Sequence, residues 1–178
     1  SISHMGFALM GLAAGTVFGV QAMLVYMAIY VTMNIGVFAF ILAMERDGAP
    51  VVKIDELGGY SKREPLRALA MLVLLFALAG VPPLVGIFGK FYVLRAAMEA
   101  GMTWLAIAAV IAAVINAFYY LRIVFLMYFG DEAEAMDSGI SPVLWGFLMA
   151  SAAIMVLGVI NLFGVEAIAA TAAAALVN

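Results

Sequence analysis

Lys90 is the residue of this sequence best suited to move a proton. It lies inside an apolar run that extends from Pro65 to Ala100, directly between Gly89 and Phe91. A lysine ammonium deep in hydrocarbon is costly, so an ionisable side chain at such a position usually marks a pathway for ions or protons. A lysine in a partly desolvated site can load and release a proton. The alternative is a lysine near a helix end that extends its ammonium to the headgroups.

The helix that carries Lys90 is predicted to break just before it. Gly80, Pro82 and Pro83 lie at the middle of the run, and Gly86 follows. Two adjacent prolines remove two backbone donors and clash with the preceding turn. As one straight helix the run would be about 54 Å long, whereas a hydrocarbon core is about 30 Å thick. The run is therefore either two short spans or one discontinuous span, whose unwound centre requires neighbouring protein or a wet cavity.

Further polar side chains occur in the other apolar runs. His4 is the one side chain whose unperturbed pKa lies near neutrality, so it could pass protons to and from Lys90, or it could pack near a helix start. The others form two stripes with helical spacing, one of Tyr26, Tyr30 and Asn34 and one of Asn116, Tyr119 and Tyr120. In hydrocarbon such stripes face other helices or water. They either line a proton path or join helices by hydrogen bonds.

Composition restricts the class of protein to which these residues belong. Of the 178 residues, 68% are hydrophobic and 11% are charged, which excludes an ordinary soluble domain. A net charge of −3 argues against nucleic acid as a partner. With no cysteine and one histidine, we expect neither a metal site nor a redox cofactor in this chain. The sequence therefore predicts an all-α, polytopic membrane helix bundle.

Apolar run lengths predict five transmembrane helices, one of them broken at Pro82-Pro83. Their approximate bounds are 2–18, 19–44, 65–100, 102–129 and 142–163, and the Ala-rich tail from Val165 is expected to extend or cap the last helix. Because the chain starts at Ser1 without a basic segment, we expect it to be the C-terminal part of a longer protein.

The loop 45–64 defines the predicted orientation. It holds four basic residues and Arg67 follows, which marks it as cytoplasmic. One broken span then places Arg122 on the same side as the loop, as an interfacial anchor. This more regular charge pattern favours one broken span over two short ones. The loop and the acidic stretch 131–137 are expected to be solvated surface segments, with docking of a neighbouring subunit as the alternative.

Three motifs resemble a known family. They are Ser1-Ile2-Ser3-His4-Met5-Gly6, the segment Ala79-Gly80-Val81-Pro82-Pro83 with Gly86-Ile87-Phe88-Gly89-Lys90-Phe91-Tyr92, and Tyr119-Tyr120-Leu121-Arg122. Together they resemble the subunit N family of respiratory complex I, the proton-translocating NADH:quinone oxidoreductase. The Gly-Lys-Phe-Tyr segment is the specific part of the resemblance, because the sister subunit M is expected to have a glutamate at the position of Lys90. Subunit L also has a lysine there, but its long lateral helix has no counterpart in this tail.

The resemblance implies an antiporter-like fold of fourteen helices, of which this chain would supply the tenth to the fourteenth. Lys90 would lie on the discontinuous twelfth helix and serve the outward half of a proton channel. No cofactor is implied in this chain, whereas flavin and iron–sulfur clusters are expected in partner subunits. The implied partners are other membrane subunits of complex I, the NADH-oxidising arm through them, and the lipid bilayer. A bacterial inner membrane is favoured over a mitochondrial one.

Three functions are consistent with these features. The first is a membrane subunit of NADH:quinone oxidoreductase that translocates protons, coupled to electron transfer in other subunits. The second is a subunit of a related cation/proton antiporter without a redox partner. The third is a structural membrane subunit whose buried lysine pairs with a carboxylate elsewhere.

Overall fold

A computed structural model describes residues 1–137 and 139–177 of the chain, and most of them are helical. The main helices are α1 (Ile2–Ala13), α2 (Val17–Leu42), α4 (Pro65–Ala79), α5 (Val85–Glu99), α6 (Thr103–Phe129), α7 (Pro142–Leu157) and α8 (Val165–Leu176). The smaller elements are the antiparallel strands β1 (Glu45–Arg46) and β2 (Ala49–Pro50), the helix α3 (Tyr60–Arg63), and 3-10 turns at Ile54–Leu57 and Leu162–Gly164. Helix α2 lies at the centre and packs against α1, α4, α5, α7 and α8.

The first two helices form a tight hairpin. Helix α1 ends at Ala13 and Gly15 turns the chain with a φ of 64°. The hydroxyl oxygen of Thr16 then caps α2 by accepting a hydrogen bond from the Gly19 amide at 3.0 Å. The predicted boundary between the first two helices, at residues 18 and 19, is therefore wrong. The apolar content does not change at this point, and the Thr16 cap determines where α2 starts.

The break before Lys90 is confirmed. Helix α4 ends at Ala79 and α5 begins at Val85, so the described backbone between them is not helical. Gly80 has a φ of 87°, and the amides of Gly80 and Val81 both bond back to the Phe76 carbonyl oxygen, at 3.0 and 2.9 Å. This arrangement is a glycine-dependent helix end, and the prolines prevent the helix from continuing.

The two polar loops fold against one another. The amide of Ala133 donates to the Gly58 carbonyl oxygen at 3.1 Å, and Asp137 donates to that of Glu45 at 2.8 Å. Arg46 binds the carbonyl oxygens of Glu134 and Ala135 and pairs with Glu56 at 2.8 Å. The expectation of two solvated segments is thus incomplete, since much of both segments forms a single cap on one end of the bundle.

The C-terminal part turns sharply. Helix α7 ends at Leu157, earlier than the predicted residue 163, and the segment from Leu162 to Leu176 is bent from it by 110°. Phe163 adopts a φ of 49° within the turn. Helix α8 packs against α2, so of the two expectations for the tail, that it extends or caps the last helix, extension is wrong.

Helix lengths in the described residues support a membrane location for the bundle. Helices α2 and α6 are each long and apolar enough to cross a bilayer, and the bent α7–α8 pair is a third candidate. Helices α1 and α4 are apolar but shorter.

Candidate functional site

Lys90 is buried at the helix break, with 8% of the residue exposed. Its ammonium nitrogen donates hydrogen bonds to the carbonyl oxygens of Leu78 and Ala79, each at 2.8 Å. It also lies 5.7 Å from the centroid of the Phe7 ring, within the range of a cation–π contact. The side chain therefore points back across the break to the end of α4 rather than toward a surface.

The end of α4 explains why an ammonium fits there. The last four carbonyls of a helix have no partner within it. The amides of Gly80 and Val81 donate to the carbonyls of Phe76 and Ala77. The Lys90 ammonium donates to the remaining two carbonyls, those of Leu78 and Ala79. The negative end of the helix dipole points at the same place and favours a cation. The break thus creates the polar environment that a buried lysine requires.

Gly80 leaves the space that the Lys90 side chain fills. A Cβ atom at residue 80 would lie 3.2 Å from both the Nζ and the Cδ atoms of Lys90. Its φ of 87° also favours glycine. Gly86 makes a comparably close approach, because a Cβ atom there would overlap the backbone of Ala77. These glycines therefore hold the two half-helices close to the ammonium.

His4 forms a second buried polar centre, with 3% of the residue exposed. Its Nδ1 atom lies 2.6 Å from the Tyr26 hydroxyl oxygen and its Nε2 atom lies 2.9 Å from that of Tyr120. The ring of Tyr30 stacks on the imidazole with centroids 4.8 Å apart. Three helices, α1, α2 and α6, thus meet at one imidazole whose two nitrogens both face hydroxyl groups.

Phe7 and Tyr26 join the two centres. The Phe7 ring contacts Lys90 on one side and stacks on the Tyr26 ring with centroids 5.8 Å apart. Gly89 lets α5 pack closely against α2 here, since a Cβ atom at that residue would lie 3.2 Å from the Tyr26 ring. Lys90 and His4 therefore belong to one packed cluster in the core of the bundle.

The other candidate residues fall inside and outside this cluster. Asn116 lies beside it and donates from Nδ2 to the Ser3 hydroxyl oxygen at 2.5 Å. Asn34 is half-buried and makes no side-chain hydrogen bond within the described part of the chain. Tyr119 is 58% exposed and contacts the Phe118 ring, so it does not join its neighbour Tyr120 at the histidine.

No carboxylate neutralises Lys90 in the part of the chain that the structure describes. The ion pairs present there involve the loops or the end of α5, where Arg95 pairs with Glu99 at 2.7 Å. In residues 1–137 and 139–177, no three His, Asp or Glu side chains are grouped to hold a metal ion. The positive charge at residue 90 is thus stabilised by backbone carbonyls and an aromatic ring.

An apolar cavity lies beneath the loop cap and reaches the cluster. Its lining includes Val51 and Lys53 near the loop end, and Leu78 and Tyr120 at the cluster end. Leu78 supplies a carbonyl to Lys90 and Tyr120 supplies a hydroxyl to His4. The cavity therefore extends from the loop cap to two residues that contact the polar centres, although neither Lys90 nor His4 lines it.

Sequence reasoning missed three contributors to the site. The carbonyls of Leu78 and Ala79 carry no side-chain signal, although a lysine about three turns beyond a helix end is a clue. Phe7 follows His4 by three residues and so lies on the same face of α1. Ser3 stood within the first motif, but its partner Asn116 could not be inferred from spacing.

The fold and this site describe a membrane-type helix bundle with a broken helix and a buried lysine. A profile of the NADH:quinone oxidoreductase/Mrp antiporter transmembrane family matches residues 1–116. The chain belongs to this family. Over its whole length it is 57% identical to NADH-quinone oxidoreductase subunit N of Rhodobacter capsulatus and 61% identical to that of Jannaschia sp.. The predicted relationship to subunit N is confirmed.

The chain spans 37% and 38% of the length of these two relatives. Among solved structures it is similar to a chain of respiratory complex I from Thermus thermophilus with bound NADH, with 28% identity and a TM-score of 0.76 over 98% of this chain and 38% of that one. It also shares the fold of a chain of the Mrp complex from Dietzia sp., at 23% identity and a TM-score of 0.83, over 98% of this chain and 41% of that one. The antiporter-like fold is therefore confirmed.

Proposed function

We propose that this chain is part of a membrane subunit that translocates protons in NADH:quinone oxidoreductase. The observation that carries the proposal is the buried cluster in which the Lys90 ammonium and the His4 imidazole are joined through Phe7 and Tyr26. In this role Lys90 is the residue that loads and releases a proton. A charge held in low dielectric responds strongly to other charges nearby, which suits coupling to a distant event.

His4 supports the proposal through its two nitrogens. A neutral imidazole has one donor and one acceptor nitrogen. A proton that arrives at one nitrogen and leaves from the other has crossed the ring, provided that both nitrogens face hydroxyl groups. Tyr26 and Tyr120 supply those hydroxyls at 2.6 and 2.9 Å. Tyr30 and Asn116 hold the ring and its helix in place, whereas Asn34 and Tyr119 do not contact His4 and are left out of the proposed path.

The loop cap supports one broken span across residues 65–100. Residues 58 and 133 are hydrogen-bonded, so the loops before α4 and after α6 lie on one side of the membrane. The chain between them must cross an even number of times, which fits one crossing by α4 and α5 together and one by α6. With α1, α2 and α7 this makes five spans in the proposed topology, with the loop 45–64 in the cytoplasm.

The proposed assembly follows from the relatives. They are named as subunits of NADH-quinone oxidoreductase and come from bacteria, so we place this chain in a bacterial inner membrane. Its partners would be other membrane subunits of complex I and, through them, the NADH-oxidising arm. This chain would bind neither flavin nor an iron–sulfur cluster, and those groups would reside in the partner subunits.

Purification of the full-length protein tests the assembly. A tagged protein should carry flavin and iron–sulfur absorbance through purification from native membranes and should catalyse quinone reduction by NADH. Sodium- or proton-driven exchange without these groups would instead identify a cation/proton antiporter. A stable complex that shows neither activity would instead indicate a structural subunit.

A further inference from the structure

Helix α6 presents an outer face that no other described element covers. In its most apolar stretch of 18 residues only 6% are buried, against 44% for α2. The large apolar side chains exposed along this outer face are Trp104, Ile107, Ile111, Ile115, Phe118, Phe125 and Phe129. They are spaced three, four or seven residues apart, so they lie on one side of the helix along its whole length.

Arg122 lies in the middle of this apolar face. It follows Phe118 by four residues and precedes Phe125 by three, and it is exposed. Within residues 1–137 and 139–177 its guanidinium makes no hydrogen bond or ion pair. Arg95, near the end of α5, instead pairs with Glu99 and lies over the Phe18 ring. An arginine without a partner on an apolar membrane face is costly.

The direction of α6 disfavours contact between Arg122 and the headgroups at the loop end. Arg122 precedes the last residue of the helix, Phe129, by seven positions, which places its Cα atom about 10 Å below that end. Side chains in a helix tilt toward its N-terminus, and the N-terminus of α6 is at the opposite face of the bundle. The tilt thus directs the guanidinium of Arg122 toward the membrane interior, where a charge without a partner is costly.

We propose that a further membrane helix from the rest of the full-length protein packs along the outer face of α6 and presents an aspartate or glutamate carboxylate to Arg122. More than three-fifths of the length of the subunit N relatives lies outside the matched segment, since the chain spans 37% and 38% of them. A covalently attached helix has a high effective concentration at this face. A carboxylate supplies the charge and the two acceptor oxygens that a guanidinium binds in parallel.

Photo-crosslinking in native membranes tests the position of this helix. Benzoylphenylalanine replaces Phe118 in the full-length protein, and the crosslinked peptides are mapped after irradiation. We expect a crosslink within the same polypeptide, to a helix that has an aspartate or glutamate within one turn of the attachment site. Crosslinks to lipid only, to another subunit, or to a helix without such a carboxylate would overturn the proposal.

A charge exchange then tests the ion pair itself. Arg122→Glu should lower the amount of intact protein in the membrane by about tenfold or more, and Arg122→Lys should lower it less. Replacing the mapped carboxylate with arginine in the Arg122→Glu background should restore the amount to within about twofold of the wild type. Failure of this exchange to restore the protein would contradict the pairing, whether or not Arg122→Glu folds. Neither readout depends on proton transport.

Discussion

At the scale of the residue, the interior of the bundle holds the Lys90 ammonium without an ion-pair partner in the described residues. Two backbone carbonyls at 2.8 Å and the Phe7 ring replace the water that the charge has lost. These neutral ligands stabilise the cation, but they hold it less strongly than a carboxylate at short range would. No carboxylate in the described residues pairs with this charge, so under the proposed function it can respond to other charges nearby.

The Tyr120 hydroxyl is predicted to matter for transport more than for folding. Tyr120→Phe removes one hydrogen-bond partner of His4, which should cost about 1 kcal/mol in stability and should interrupt proton transfer at Nε2. Tyr119→Phe is the matched control, because that neighbouring side chain is exposed and does not contact His4. Proton uptake into vesicles driven by NADH should fall for Tyr120→Phe only. Equal rates for both variants would remove Tyr120 from the proton path.

Gly80 is predicted to affect Lys90 directly. Gly80→Ala places a methyl group 3.2 Å from the Lys90 nitrogen and adds about 1–2 kcal/mol of backbone strain at positive φ. Gly101→Ala carries a similar strain, with a φ of 77°, but a Cβ atom there meets nothing within 4 Å. Both variants should lower the thermal unfolding temperature, and only Gly80→Ala should also slow proton transport. Equal transport in the two variants would mean that Gly80 serves the backbone alone.

At the scale of the element, the pairing of the two loops has a pH dependence. Lys62 donates to Glu132 Oε1 at 2.8 Å, and this hydrogen bond holds the pKa of the Glu132 carboxyl below its ordinary value of 4.5. Because folding lowers this pKa, the pair stabilises the loop cap above the ordinary carboxyl pKa, and this contribution is lost as the pH falls through the lowered value. The effect should be small, since both side chains are exposed.

A titration of Glu132 checks this expectation. In the Lys62→Met variant the pKa of Glu132 should rise toward 4.5, as followed by the carboxyl resonance in NMR. Lys53→Met is the control, since Lys53 is exposed and no ion pair joins it to Glu132. An unchanged pKa in Lys62→Met would show that the two loops are not paired in this way.

The elements differ in how well their ends could be predicted. The break before Lys90 was predictable, because Pro82 and Pro83 forbid a continuous helix whatever surrounds them. The end of α7 was not, since the sequence around Gly158 remains apolar and helix-compatible up to Phe163. The chain bends at Leu162–Gly164 and α8 packs on α2, a tertiary contact that leaves little trace in local composition.

At the scale of the whole molecule, the contact between the loops predicts sidedness. The chain has no cysteine, so single cysteines can be placed at Asp55, Asp131 and Thr103 in the full-length protein after its remaining cysteines are removed. An impermeant thiol reagent should label residues 55 and 131 from one side of the membrane and residue 103 from the other. Labelling of residues 55 and 131 from opposite sides would contradict a single broken span formed by α4 and α5.

The candidate site could be predicted only in part, because its residues are distant in the sequence and come together only in the folded molecule. Lys90 and His4 were identified because ionisable residues are rare in apolar helices and stand out in the sequence. The contacts of these residues could not be predicted, because partners such as Tyr120 and His4 are separated by 116 residues and meet only in the folded bundle. Tyr119 and Tyr120 are the same residue type at adjacent positions, and only the packing of α6 distinguishes the exposed ring from the partly buried one.

The most direct test of the proton relay compares Lys90→Met with Lys53→Met in the assembled, full-length complex. Methionine keeps the length and apolar stem of lysine but removes its charge. Proton uptake into vesicles and quinone reduction by NADH are measured together on the same preparation. We expect both rates to fall severalfold for Lys90→Met, with assembly intact, and to stay near wild type for Lys53→Met. A Lys90→Met complex that assembles and pumps normally would contradict the account.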